Sequence, residues 1–237
     1  MMLSGAKLRV FDDKTAVAEA AAALTLAQAR AAIAERGRFR IVLAGGTTPT
    51  AAYRLLAGSQ SDWSAWHVYH GDERCLPPGD SERNSLAADQ AFLAQVPIPR
   101  GQIYPIAAEL GAVTAAAAYT DIVANALPFD LVLLGMGEDG HTASLFPGRE
   151  IPPEPFVIPV HDAPKAPSDR VSLTPRALCR SNRIVLLITG AGKRDALRRW
   201  ALGETLPVQS VAACGNSIAL LDRAAADGLN LETAVDR

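Results

Sequence analysis

Only three cysteines occur in the 237 residues, Cys75, Cys179 and Cys214, and none stands in C-x-x-C spacing. An odd, scattered set suits a reducing compartment rather than a disulfide framework, so the expected location is cytoplasmic. Charge of one sign is also lacking. The chain has 23 basic residues against 25 acidic ones, a formal net charge of -2, which argues against binding nucleic-acid phosphates as the main activity. The N-terminus, MMLSGAKLRVF, lacks the basic start, apolar stretch and cleavage site of a signal peptide. The most apolar long stretch, Ala16 to Ala34, is mostly alanine and is broken by Glu19, Gln28 and Arg30. It reads as too weakly apolar to span a bilayer, so no membrane partner is expected. H-E-x-x-H and G-x-S-x-G are both missing; neither a metalloprotease motif nor a nucleophile elbow is present. With no internal repeat and no dividing linker, residues 1–237 are expected to form a single domain.

What is present is a core-forming chain, 49% hydrophobic and 20% charged, which excludes a disordered one. Lys7 to Phe11 alternates like a strand, and Thr15 to Arg36 is an Ala-rich helix stopped by Gly37. Short apolar runs at Phe39–Ala44, Trp66–His70, Asp130–Leu134, Arg183–Thr189 and Ser217–Leu221 read as buried strands. Helical patterns separate them: one opened by Thr48 as cap and Pro49, then Asn84–Ala94, Thr114–Ala126, Lys193–Leu202 and Asp222–Gly228. The proline-rich stretch from Pro147 to Pro167 reads as loop and edge structure. This alternation predicts an α/β fold, an open, doubly wound, mostly parallel sheet with helices on both faces. Ligands of such sheets bind beyond the carboxyl ends of the strands. Four loops leave those ends, Gly45–Thr48, Gly71–Arg83, Gly135–His141 and Gly190–Lys193, and they hold nearly every unusual polar cluster.

Gly45-Gly46-Thr47 opens a helix, where free N–H groups and the helix dipole suit an anion; an ordinary tight turn would use the same residues. His70-Gly71-Asp72-Glu73-Arg74 is either a solvated loop or a sugar-binding one, with Arg83-Asn84 downstream able to reach the same cleft. Gly135-Met136-Gly137-Glu138-Asp139-Gly140-His141 matches the dinucleotide pattern G-x-G-x-x-G. Pro147, seven residues after Gly140, denies it the helix that pattern needs. His141 beside two carboxylates fits acid–base chemistry better. Lys193 at a helix start opposes the dipole, which is understandable if it pairs with a phosphate, and Arg170 is a second candidate cation. His67 and His70, three apart on a strand, make a poor metal pair. The expectation is an enzyme without metal or cofactor.

Taken together, LAGGTTP (Leu43–Pro49), DERCLP (Asp72–Pro77), SERNS (Ser81–Ser85), GMGEDGHTASLFPG (Gly135–Gly148) and TGAGK (Thr189–Lys193) resemble the 6-phosphogluconolactonase family of the glucosamine/galactosamine-6-phosphate isomerase superfamily. LDRAAA (Leu221–Ala226) is a weaker echo. The resemblance implies a glucosamine-6-phosphate deaminase-like fold and hydrolysis of 6-phospho-D-glucono-1,5-lactone in the oxidative pentose phosphate pathway. It implies a catalytic pair, His141 as general base with Asp139 orienting it. Gly46, Thr47, Arg170 and Lys193 would hold the phosphate, Gly45 would be substrate-binding beside them, and Asp72 and Arg83 would line the sugar site. Backbone N–H groups or Arg83 would serve the oxyanion. The only partner implied is the sugar-phosphate lactone, bound by a monomer or weak dimer. Glucosamine-6-phosphate deaminase is similar in the GG-T-P, D-E and G-x-D-G-H segments, but it carries a Glu five residues after the His where this chain has Phe146. A sugar-phosphate sensor of a transcription regulator would carry a helix-turn-helix, for which there is no room ahead of Lys7.

Overall fold

A computed structural model describes residues 2–3 and 5–229. In chain order the first half contains β1 (Met2–Leu3), β2 (Ala6–Phe11), α1 (Lys14–Arg36), β3 (Phe39–Leu43), α2 (Thr47–Ala57), β4 (Trp66–His70), β5 (Asp72–Arg74), α3 (Asn84–Ala88) and β6 (Ile103–Tyr104). The second half contains α4 (Ala112–Ala126), β7 (Leu131–Gly135), β8 (Val157–Val160), β9 (Arg170–Leu173), α5 (Pro175–Leu178), β10 (Ile184–Ile188), α6 (Arg194–Ala201), α7 (Pro207–Ala212), β11 (Ser217–Asp222) and α8 (Arg223–Ala226).

The main sheet has eight strands in the order β1-β2-β11-β10-β7-β3-β4-β6. Every neighbouring pair is parallel except β1 with β2. Its apolar runs are continuous because both faces are covered. Phe39, Ile41, Leu43, Leu131, Leu133, Val185 and Leu187 turn to the side of α1 and α2. The intervening Val42, Val132, Leu134, Leu186 and Ile188 turn to the side of α4, α6 and α7. Period-two alternation within a wholly apolar run is what a sheet buried on both faces requires.

Helix α1 is fixed at its start by Asp13, whose carboxylate accepts from the Thr15 and Ala16 N–H groups, and stops at Gly37 in the left-handed region (φ 69°). In length and composition it does reach what a membrane span needs. Val17, Ala18, Ala21, Ala29 and Ala32 use that surface against the core.

Three local readings need correction. Asp72–Arg74 is not free loop: it forms β5 and joins β9 and β8 in a second, antiparallel three-stranded sheet. The proline-rich stretch supplies that sheet's edge strand β8, with Pro159 inside it, where a missing N–H donor is tolerated. Second, the α2 cap is Gly46 rather than Thr48, and no side chain caps it. Third, Cys179 and Cys214 are joined in a disulfide, leaving Cys75 as the free thiol. The 35-residue separation hides that pairing in the sequence, because β10, α6 and α7 lie between the two cysteines.

Candidate active site

From β3 the chain steps outward through β4 to β6, then returns to the other side of β3 as β7. The loops after β3 and β7 therefore part at the point where strand order reverses, which opens a crevice at their carboxyl ends. A cavity of about 370 Å3 lies there. All four loops picked out by the sequence contribute to its wall, among them Gly46, Thr47, Asp72, His141 and Lys193, and Thr189 lines it as well.

At one wall stands His141. Its Nδ1 lies 2.5 Å from Asp139 Oδ1, and its backbone N–H donates to the same oxygen at 3.2 Å. Burial alone would raise the Asp139 carboxyl, but the charge of His141 and these hydrogen bonds outweigh it and hold the group below its ordinary value. An ionised carboxylate only accepts, so in the neutral form of His141 the imidazole proton sits on Nδ1 and the lone pair on Nε2. The loop that presents the ring is closed on itself. Gly137 N–H donates to His141 O at 2.8 Å, and the Thr142 hydroxyl donates to Gly135 O at 2.8 Å. The ring rests against Phe146, with centroids 4.8 Å apart. Glycine is required at 137: a Cβ there would come within 2.0 Å of His141 Nδ1. No helix follows Gly140, so the dinucleotide arrangement is absent and the motif serves to turn the imidazole outward.

Across the cavity, α2 begins at Gly46 with its first turn uncapped, an arrangement suited to an anion. The Thr48 hydroxyl pairs with the Thr189 hydroxyl at 2.6 Å, tying this turn to the loop that carries Lys193. Asp222 braces that loop from below. Its carboxylate accepts from Gly190 N–H at 3.0 Å and from Ala225 N–H at 2.7 Å. Lys193 is half-buried. Burial lowers its pKa, Glu138 opposes that, and the charge of Lys165 adds to it. The cations Arg74, Lys165, Arg170 and Lys193 line the cavity against the single carboxylate of Asp72, an excess that favours an anionic ligand.

Asp72 is buried between the two halves of the site. One carboxylate oxygen accepts from the Ser144 hydroxyl at 2.7 Å and the other from Asn84 Nδ2 at 3.1 Å. Burial raises its pKa, and the Ser144 bond works against the rise. Arg170 also reaches the wall, but its Nε and Nη2 are spent on the carbonyls of Lys165, Ala166 and Pro167.

Arg83 departs from expectation. It is buried beneath the site, donating to Glu109 at 2.7 Å and to the carbonyls of Leu76 and Ile106, and it lines a separate cavity with His70. The neighbouring Asn84 takes the place expected for it, packed so closely that a Cβ at Gly45 would meet Asn84 Oδ1 at 2.0 Å. Arg74 and Lys165 also line the cavity and Ser144 holds Asp72, although the sequence singles out none of the three. Arg74 and Ser144 lie inside the quoted motifs, whereas nothing in the sequence around Lys165 marks it.

The chain matches the family model for glucosamine-6-phosphate isomerases/6-phosphogluconolactonase over residues 12–219. It is 40% identical to the 6-phosphogluconolactonase of Mycobacterium tuberculosis, covering 92% of this chain and 96% of that one. It is likewise 40% identical to the 6-phosphogluconolactonase of Streptomyces coelicolor, covering 94% of each. Among solved structures, the 6-phosphogluconolactonase of Trypanosoma brucei superposes with a TM-score of 0.84 at 27% identity, covering 94% of this chain and 98% of that chain. A monomeric glucosamine-6-phosphate deaminase shares the fold, with a TM-score of 0.81 at 20% identity over 93% of this chain and 98% of its own. With its mostly parallel sheet and a match over nearly its whole length, the chain belongs to the glucosamine-6-phosphate isomerase/6-phosphogluconolactonase family.

Proposed function

We propose that this chain is a hydrolase that opens 6-phospho-D-glucono-1,5-lactone to 6-phospho-D-gluconate, the lactonase step of the oxidative pentose phosphate pathway. The observation that carries the reading is the His141–Asp139 pair facing the same cavity as the uncapped start of α2 and Lys193. The names of the 40%-identical relatives support the same activity.

In this mechanism, Nε2 of His141 takes a proton from water while the water oxygen attacks the lactone carbonyl. Asp139 stabilises the imidazolium that results. The tetrahedral intermediate then collapses, the bond from carbon to ring oxygen breaks, and the proton passes from Nε2 to that oxygen as it leaves. General-base help of this kind contributes roughly 10²–10⁴-fold. The phosphate binds to the N–H groups of Gly46 and Thr47 and to Lys193, with Arg170 adding positive charge, and it tethers the reacting carbon near the imidazole. Gly45 gives Asn84 room at the sugar end beside Asp72. With Arg83 buried away from the cavity, backbone N–H groups and Arg74 are left to serve the oxyanion. Phe146, an apolar ring against His141, counts against the deaminase, which needs a carboxylate at that position.

The test supplies freshly made phosphogluconolactone and follows acid release, with glucosamine-6-phosphate assayed in parallel for ammonia. Fast acid release without ammonia is the expected result. Ammonia release, or no acceleration of lactone opening, would sink the reading.

A further inference from the structure

Lys193 is not the only lysine at the cavity. Lys165 lines the same cavity, carried by the loop between β8 and β9. It makes no salt bridge and no side-chain hydrogen bond among the described residues, and neither does Lys193. Two unpaired ammonium groups facing one space repel each other. The charge of Lys165 is one of the influences that lower the Lys193 pKa. Such a pair is stabilised when a dianion stands between the two charges.

The loop that carries Lys165 is tethered rather than slack. Arg170 donates from Nη2 to the carbonyls of Lys165 (2.8 Å) and Ala166 (3.3 Å), and from Nε to that of Pro167 (3.2 Å). Ala163 N–H closes the loop onto Ser168 O at 2.9 Å, and Arg149 donates to His161 O at 2.6 Å. Arg170 itself is buried and lies over the Phe146 ring, 5.6 Å from its centroid. A buried arginine thus fastens the loop backbone at the residue whose amine is left free.

We propose that Lys165 is a substrate-binding residue that grips the phosphate dianion together with Lys193, and that Arg170 positions it by holding residues 165–167. This rests on the lactonase reading for the identity of the phosphate ester. It adds a specificity-determining residue outside all the sequence motifs.

The experiment compares the full chain with Lys165→Gln and Lys165→Arg, on phosphogluconolactone and on unphosphorylated glucono-1,5-lactone. Removing one charged hydrogen bond to an anion predicts a rise in KM of about tenfold on the phosphorylated substrate. In Lys165→Gln, kcat is expected to stay within about twofold, and kcat/KM on the unphosphorylated lactone to stay unchanged. Lys165→Arg restores most of the KM. An unchanged KM on the phosphorylated lactone, or an equal loss on both lactones, would overturn the assignment. Calorimetric titration with inorganic phosphate keeps the test separate from the activity. If the unaltered chain binds phosphate, Lys165→Gln must weaken that binding even if no lactone is hydrolysed. Equal phosphate affinity in the two proteins would remove Lys165 from the site and leave the lactonase reading standing.

Discussion

At the scale of single residues, the site depends on close approach as much as on charge. On the proposed mechanism, His141→Ala removes the base and is expected to lower kcat by roughly 10²–10⁴-fold. Binding of 6-phosphogluconate, measured by inhibition of the unaltered enzyme and by direct titration of the variant, is expected to persist. Lys193→Ala should act the other way, raising KM far more than it lowers kcat. Gly137→Ala leaves every catalytic atom in place, yet its Cβ would fall 2.0 Å from His141 Nδ1 and 2.6 Å from Asp139 Oδ1. A loss of turnover approaching that of His141→Ala, with normal circular dichroism, is the expected outcome; full activity would show that the loop relaxes freely. That His141 with Asp139, Gly46 and Lys193 meet at one cavity was legible in the sequence because these residues lie in runs of polar and glycine neighbours at strand ends. Arg83 misled because the choice among Arg74, Arg83 and Asn84 is made by the pairing of β5 with β9, nearly a hundred residues away.

At the scale of elements, one buried carboxylate joins the second sheet to the site. Glu73, on β5, is fully buried and accepts from the N–H groups of Asn84 and Ser85 at 2.8 Å, which anchors the first turn of α3. Its Oε2 also lies 3.4 Å from Arg83 Nε. Glu73→Ala would leave a buried guanidinium short of its partner and α3 uncapped. Losses of this kind run to about 3–5 kcal/mol, read as a fall in the urea midpoint. Because Asn84 sits on that turn, the variant should also lose affinity for substrate. Lys165→Gln, on an exposed loop, should leave stability unchanged. The long helices and the five apolar strands of the main sheet could be read ahead because their patterns are local. Strands of three or four residues such as β5, β8 and β9 carry no such pattern, and long-range pairing creates them.

At the scale of the whole molecule, folding stability is tied to a histidine that the proposed mechanism does not use. His70 is buried at the end of β4, and its Nε2 has no hydrogen-bond partner among the described residues. Burial pushes its pKa below the ordinary value, Glu73 pulls it partly back, and Arg83 lowers it further. As pH falls below about 6.5, the unfolded chain takes up this proton while the folded one refuses it, so stability declines. The slope from one such group is at most about 1.4 kcal/mol per pH unit, and it flattens once the folded pKa is reached. Urea unfolding at pH 7 and pH 5.5 measures it, and a shallower dependence is expected in His70→Gln. The overall architecture was readable because strand and helix patterns alternate and the parallel-sheet rule then places the crevice. The second sheet and the Cys179–Cys214 bond were not readable, since each depends on which distant segments meet.

The pairing of β2 with β11 also bears on how the chain is made. Residues 6–11 find their parallel neighbour only in residues 217–222, so a ribosome delivers the second partner some two hundred residues after the first. Until then β2 waits with one edge unfilled. Contacts of that span are slow to close, so the docking of β11 on β2 is expected to be a late step of folding.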